Sequence, residues 1–268
     1  MPDIYFIART TPCGGYRAVT QNYRAAMESA GINYTLFCSD LIRKQYLHEL
    51  FSINTTSPTI VLFYDTPDML SKIQRTGNAI KLIAGTLFET DRLPPGWRAP
   101  LLSADEIWVP TDFNMKSFAE GTGKTDNLRK VPLCIDIRPY SAGIKPMKIK
   151  EKKAFAFLYS FACPSRKDPQ LLLKSYFRAF TAKDDVCLVL KTMLGRIRLD
   201  ELFASLQPDY DVPRDHSLPP VIHIEENLSH KGMISLFKAC DVYVSSERAK
   251  GWDYPAMEMM ALGKPCVS

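Results

Sequence analysis

The chain has 268 residues, 46% of them hydrophobic and 24% charged, which is the composition of a globular protein with a core of its own. No apolar run approaches the ~20 residues that cross a bilayer, and no basic-then-apolar leader opens the sequence, so we expect a cytoplasmic protein. The formal net charge of +5 is modest, and no interleaving of aromatic and basic residues favours a nucleic-acid-binding protein.

The metal-ligating residue types are few and scattered. Seven cysteines never take a CxxC spacing, and four histidines show no zinc-ligand pattern. We therefore expect small buried thiols, no metal and no bound cofactor.

Apolar runs alternate with segments of helical period along the first half of the chain. Strands are predicted at 4–8, 34–38, 59–64, 80–84 and 106–109, and helices at 16–30 and 111–119. A Gly14-Gly15 loop joins the first strand to the first helix. This alternation is typical of a parallel sheet covered by helices, so residues 1–140 are predicted to form one domain.

Residues 141–153 are rich in Pro, Gly and Lys and have no periodicity, which indicates a linker. The alternation then resumes, with strands at 154–160, 186–190, 221–224 and 241–244 and helices at 169–180, 197–206, 229–239 and 255–262. In the first of these helices, Leu171, Leu172, Ser175, Tyr176 and Ala179 lie at helical spacing. A strand beginning at 264 leaves no room for a covering helix, so we expect 154–268 to be an abbreviated second domain.

The segment 241–267 combines a strand, a glycine loop and a helix. Its loop contains Gly251, and its helix carries Glu258 one turn in. Free N–H groups and the positive dipole end of such a helix favour a diphosphate. Glu258 is either an acceptor for ribose hydroxyls or an exposed helix acid, and the local chemistry supports both interpretations equally.

This segment resembles the donor-site signature of retaining GT-B glycosyltransferases of family four, Glu-Gly-Phe/Trp-Gly-Leu-Pro-x-x-Glu-Ala-Met-Ala-x-Gly-x-Pro-Val. The positions in register are Gly251, Trp252, Pro255, Glu258, Met259 or Met260, Ala261, Gly263 and Pro265. Segments 88–94, 104–110, 165–169 and 188–191 are also similar to parts of that family. The resemblance implies an α/β fold of the GT-B type, with two Rossmann-like, doubly wound parallel-sheet domains facing a cleft. The second domain would lack its last strand and closing helices.

The resemblance implies transfer of a hexose from a nucleotide diphosphate sugar to a glycan, lipid or protein acceptor, with retention of configuration and without a bound metal. Cations must neutralise the departing diphosphate. The implied catalytic residues are Lys167, Lys191 and Glu89, the last of which, like Asp91, would orient the acceptor or the reacting sugar. The implied donor-binding residues are Gly14, Gly15, Arg166, Lys250, Gly251, Trp252, Asp253, Tyr254, Pro255 and Glu258.

Simpler interpretations stand beside these roles. Lys167 fits a solvated helix start, Lys191 a strand end, and the Gly14-Gly15 pair a tight turn.

Three positions depart from the signature. Its first glutamate, which would contact the donor sugar, falls on Lys250, and its second glycine falls on Asp253. An arginine expected six residues before Lys167 falls on Phe161. Glu247 could replace the missing carboxylate only in a reshaped loop. These departures keep open a second hypothesis, a non-catalytic nucleotide-sugar-binding or partner-binding protein on the same fold.

Two further interactions stay open at this point. Residues 41–51 are amphipathic and mildly basic, which packing on the first sheet or peripheral contact with a membrane would both explain. An exposed sheet edge in an abbreviated second domain would favour a homodimer.

Overall fold

The structure, a computed structural model, describes residues 2–10, 15–39, 57–73, 80–162, 164–193, 195, 198–206 and 217–268. It divides into two compact units, Met1–Asp136 and Ile137–Ser268. Each unit is built on its own parallel sheet. Tyr140, which the sequence analysis places at the end of the first domain, lies in the second unit.

The first unit contains six parallel strands in the order β2-β1-β3-β4-β5-β6. The strands are β1 (Asp3–Ala8), β2 (Thr35–Cys38), β3 (Thr59–Tyr64), β4 (Ile80–Gly85), β5 (Glu106–Val109) and β6 (Leu128–Lys130). β1 pairs with β2 on one side and with β3 on the other. The strand order therefore reverses between β1 and β3, and open α/β sheets bind ligands at the carboxyl ends of strands at such a point.

Helices cover this sheet and end where local chemistry stops them. They are α1 (Gly15–Ser29), α2 (Arg98–Leu102) and α3 (Asp112–Thr122), with 3₁₀ helices at Pro67–Lys72 and Pro95–Trp97. The Thr111 side chain accepts a hydrogen bond from the Asn114 amide and caps the start of α3. Gly123 follows α3 with φ 73°, a left-handed conformation that glycine adopts without a Cβ clash.

The second unit contains five parallel strands in the order β11-β10-β7-β8-β9. They are β7 (Phe155–Ser160), β8 (Val186–Lys191), β9 (Val221–Ile224), β10 (Val242–Val244) and β11 (Cys266–Val267). Strand β8 is buried on both faces, with Leu188, Val189 and Leu190 fully inaccessible, which explains its unbroken apolar run. Here the strand order reverses between β7 and β10.

The helices of the second unit place the functional segments. They are α4 (Arg138–Ser141), α5 (Pro164–Lys167), α6 (Pro169–Ala179), α7 (Leu199–Ala204), α8 (His230–Ala239) and α9 (Tyr254–Ala261). In α6 the buried face is formed by Leu173, Tyr176 and Phe177, whereas Leu171 is half exposed. Of the five residues at helical spacing, Tyr176 therefore lies on the buried face and Leu171 does not, because an unbroken run of three leucines gives no periodicity of its own.

Some predicted features lie outside the described residues. They include Gly14 and the amphipathic segment 41–51. Among the residues that are described, no helix is both long and apolar enough to cross a bilayer.

Close packing at the carboxyl end of β4 gives the first testable prediction. A Cβ on Gly85 would lie 2.2 Å from Cδ2 of the buried Tyr64 ring, whereas one on Gly96 would meet no described residue within 4 Å. We expect Gly85→Ala to lower the free energy of unfolding by about 1–3 kcal/mol, because the ring must move within a packed core. Urea unfolding followed by circular dichroism measures it. Gly96→Ala is the matched control, and equal stability of the two variants would contradict the packing.

Candidate functional site in the second unit

Two chain segments that are far apart in sequence, one after β7 and one after β10, are joined by hydrogen bonds at the carboxyl ends of these strands. The Arg248 amide donates to the Arg166 carbonyl oxygen at 3.1 Å. The Arg166 guanidinium donates to the Ala249 carbonyl oxygen at 2.8 Å. The Ser246 hydroxyl donates to the Asp168 carbonyl oxygen at 2.7 Å. The α5 segment is thus fixed against the loop after β10, at the point where the strand order reverses.

Lys167 and Glu247 form an ion pair at this junction. The Glu247 side chain is only 1% exposed, and that of Lys167 is 19% exposed. The Tyr159 hydroxyl donates to the Lys167 carbonyl oxygen and fixes the backbone from which this lysine projects. An ammonium has three N–H donors, so Lys167 can keep Glu247 and still donate to an anion.

A second ion pair links the same two segments. Asp168 accepts from Arg248 Nε at 2.7 Å and also from the Leu171 amide at 3.2 Å, which caps α6. Its backbone is left-handed, with φ 43°, a conformation that is uncommon for a residue with a side chain. The cap and the ion pair stabilise this sharp turn between α5 and α6.

Lys191 ends β8 and is a buried cation, with 6% of the residue exposed. Its ammonium donates to the Thr192 carbonyl oxygen, and no carboxylate among the described residues lies within 4 Å of it. Burial lowers the pKa of Lys191 because the charged form loses its hydration, and the charge of Glu226 opposes this shift. A buried cation without a carboxylate partner is a candidate for binding an anion.

The start of α9 also carries charge. Asp253 caps the helix by accepting from the Ala256 amide at 3.3 Å, and its other oxygen binds the ammonium of Lys250. Trp252 Nε1 lies 2.7 Å from Met257 Sδ, which positions the indole along the first turn. Lys250, which stands where the family signature has a glutamate, is therefore held by an acid three residues later.

Glu258 lies in the middle of α9, and its carboxylate is held by residues from two other helices. Tyr140 of α4 donates to Glu258 Oε1 at 2.8 Å. His230 Nε2 lies 3.6 Å from the same oxygen and 3.2 Å from the Tyr140 hydroxyl. The Glu258 side chain is 16% exposed. The interpretation of Glu258 as an exposed helix acid is therefore wrong, because Tyr140 and His230 contact its carboxylate.

Phe161 belongs to the core rather than to the polar edge. It is buried and stacks on Tyr159 with a centroid distance of 4.8 Å. Its amide donates to the Lys191 carbonyl oxygen at 3.0 Å, so the end of β8 lies beside the residue that follows β7.

The first unit has a separate polar cluster where its own strand order reverses. Asp65, after β3, accepts from Arg9 Nε at 2.8 Å, from the Ser39 hydroxyl at 2.6 Å and from the Thr66 amide at 2.6 Å. Arg9 also lies over the Tyr16 ring at 5.2 Å. Burial raises the pKa of Tyr16 to about 12.

Glu89 follows β4 in this first unit and acts electrostatically on Tyr16. Gly15 begins α1, and no atom of the described residues lies within 4 Å of the position that its Cβ would take.

The structure thus brings together most of the predicted donor-binding residues in the second unit and leaves Glu89 and Gly15 in the other. No group of three or more His, Cys, Asp or Glu side chains suited to a metal occurs within the described part of the chain. Sequence reasoning missed Tyr140, His230 and Arg248. The two helix-capping acids, Asp168 and Asp253, do have a local signal, since each precedes or nearly precedes a proline at a helix start.

Comparison with known proteins identifies the architecture. No protein-family model matches the chain, and no curated protein matches it. Solved structures match over nearly its whole length. The apo structure of OtsA has a TM-score of 0.70 at 12% identity, covering 98% of this chain and 82% of that one. The fold is of the GT-B type.

Two other similar structures are described with UDP. HepE of Anabaena in complex with UDP has a TM-score of 0.60 at 13% identity, covering 100% of this chain and 80% of that one. A UDP-forming α,α-trehalose-phosphate synthase of Burkholderia xenovorans has a TM-score of 0.65 at 12% identity, covering 98% and 82%. The GT-B fold expected from the sequence is confirmed, while the cleft between its domains stays a prediction.

The buried charge of Lys191 should lower the free energy of unfolding when no anion is bound. We expect Lys191→Met to raise the melting temperature by about 2–4 °C at neutral pH, because it removes a buried charge whose desolvation costs roughly 1 kcal/mol. We also expect this variant to bind UDP more weakly. The folded pKa lies below the ordinary 10.5, so wild-type stability rises with pH through the window between the two values. The gain in the variant should therefore shrink at alkaline pH.

Differential scanning calorimetry across pH, with UDP titrations, measures both effects. Lys183→Met is the control, since Lys183 is exposed and precedes the opposite end of β8. A lower melting temperature with unchanged UDP affinity would show that Lys191 is a structural residue.

Proposed function

We propose that the chain is a glycosyltransferase of the retaining family-four type, which transfers a hexose from a nucleotide diphosphate sugar to an acceptor hydroxyl. The observation that carries this proposal is the junction in the second unit. There α5, the loop after β10 and the start of α9 bring Lys167, Lys250 and a capped helix N-terminus to the carboxyl edge where strand order reverses. Nucleotides bind at this place in open α/β sheets.

The proposed donor site divides by chemistry. The diphosphate lies at the N-terminus of α9, where the positive end of the helix dipole favours an anion. Lys167 and Lys191 supply cations to it. Glu258, four residues beyond the first residue of α9, accepts hydrogen bonds from the ribose hydroxyls. Arg166, one of the predicted donor-binding residues, also fixes the loop through its bond to the Ala249 carbonyl oxygen.

In the proposed reaction, negative charge develops on the diphosphate as it leaves the sugar. The bond between the anomeric carbon and the diphosphate oxygen breaks, and its electron pair stays on the phosphate. The acceptor oxygen bonds to that carbon, and its proton passes to an oxygen of the departing phosphate. Negative charge therefore grows on the leaving diphosphate, and cations already in place stabilise it without reorganisation. We assign this role to Lys167, whose orientation Glu247 holds, and to Lys191.

Similarity to proteins solved with UDP supports a uridine nucleotide as the first donor to test. Glu89 in the first unit is our candidate for orienting the acceptor or the reacting sugar. The acceptor is a glycan, a lipid or a protein.

A thermal-shift titration with UDP, GDP and their sugar conjugates tests the proposal. A ligand that binds only the folded state stabilises it by about 2.7 kcal/mol at a hundred times its dissociation constant. We expect one nucleotide to raise the melting temperature and Glu258→Ala to abolish most of that rise. Glu201→Ala is the control, since Glu201 is an exposed acid on α7 of the same unit.

Two results would contradict this assignment. Absence of a shift with every nucleotide would exclude a donor site. Binding of a nucleotide sugar without its consumption, when glycan, lipid and protein acceptors are supplied, would favour the non-catalytic alternative.

A further inference from the structure

Three polar side chains lie in mutual contact beside α9. Tyr140 of α4, His230 at the start of α8 and Glu258 of α9 lie within 3.6 Å of one another through their polar atoms. Tyr140 and Glu258 are 118 residues apart in sequence. Tyr140 is 4% exposed, while the His230 side chain is about half exposed.

The direction of the hydrogen bonds in this cluster follows from the proton count. A carboxylate only accepts, so the single hydroxyl proton of Tyr140 points to Glu258 Oε1 at 2.8 Å. The tyrosine oxygen can then only accept from His230, whose Nε2 must carry a hydrogen. The chain of donors runs from His230 through Tyr140 to Glu258.

This arrangement fixes one oxygen of Glu258, and no described residue makes a hydrogen bond to the other. Hydrogen bonds to an ionised acceptor are short and strong, so the Tyr140 hydroxyl restricts the rotation of the carboxylate. A glutamate that must bind two neighbouring ribose hydroxyls gains from such restriction, because less side-chain freedom is lost when the ligand binds.

We propose that Tyr140 is a positioning residue that sets the Glu258 carboxylate for recognition of the donor ribose, with His230 orienting the tyrosine hydroxyl. The proposal rests on the proposed function, in which Glu258 binds the ribose. Its consequence is that a hydroxyl on α4 contributes to discrimination between a ribonucleotide and its deoxy analogue without contacting either.

The test compares the dissociation constants of UDP and of 2′,3′-dideoxy-UDP, measured by calorimetry on the full chain. In Tyr140→Phe we expect UDP to bind about tenfold more weakly and the affinity for the dideoxy analogue to stay unchanged. The ratio of the dideoxy-UDP dissociation constant to the UDP dissociation constant then falls. His230→Ala should lower the ratio less. The ratio does not depend on the folded fraction, so partial unfolding of a variant cannot produce the effect.

Tyr176→Phe is a matched control. Tyr176 is also 4% exposed in the same unit, but its hydroxyl donates to the Pro220 carbonyl oxygen at 3.1 Å. We expect this variant to keep the wild-type ratio. A parallel weakening of both ligands in Tyr140→Phe, or no weakening of either, would overturn the positioning role.

Glu258→Gln separates this inference from the proposed function. If Glu258→Gln lowers the ratio and Tyr140→Phe does not, the positioning role fails and the donor site stands. If Glu258→Gln leaves the ratio unchanged, Glu258 does not bind ribose and both fail. If both single variants lower the ratio and the double variant loses little more than Glu258→Gln alone, the two residues act as one unit, as we propose.

Discussion

The constraint on which the candidate site depends is the reversal of strand order between β7 and β10. The chain continues from β7 to one side of the sheet and from β10 to the other side. The carboxyl ends of these two strands therefore flank a crevice, which is where open α/β sheets bind ligands. The Lys167–Glu247 ion pair joins the two chain segments at this crevice. Around it the acids and bases are matched: Asp168 with Arg248 and Asp253 with Lys250. Lys191, one strand away, lacks such a partner among the described residues.

The pairing of acids and bases explains how a polar edge can be stable before a ligand arrives. A charge removed from water is costly unless an opposite charge and hydrogen bonds replace its hydration. Glu247 and Asp168 are nearly inaccessible, and each has a cation and a fixed place in the backbone. Lys191 is the exception, since burial lowers its pKa and, within the described part of the chain, only the Thr192 carbonyl oxygen accepts from it. We interpret that exception as the part of the edge reserved for a phosphate.

Much of the fold could be predicted from the sequence because parallel strands buried on both faces leave an unbroken apolar run, as in β8. Glycines at the helix ends, such as Gly123 and Gly263, mark where those helices stop. The inward face of α6 could not be predicted, because three consecutive leucines fit more than one rotation. The site was predictable only where its residues are neighbours in sequence. The contact of Tyr140 with Glu258 depends on the packing of α4, α8 and α9, and no local pattern indicates it.

The central claim is that the second unit binds a nucleotide diphosphate where its strand order reverses, and a crystal structure of the chain soaked with UDP tests it most directly. The account predicts diphosphate density at the N-terminus of α9, within hydrogen-bonding distance of the Lys167 or Lys191 ammonium, and the ribose against Glu258. Density for the diphosphate beside Arg9 in the first unit, with the second unit empty, would contradict the account.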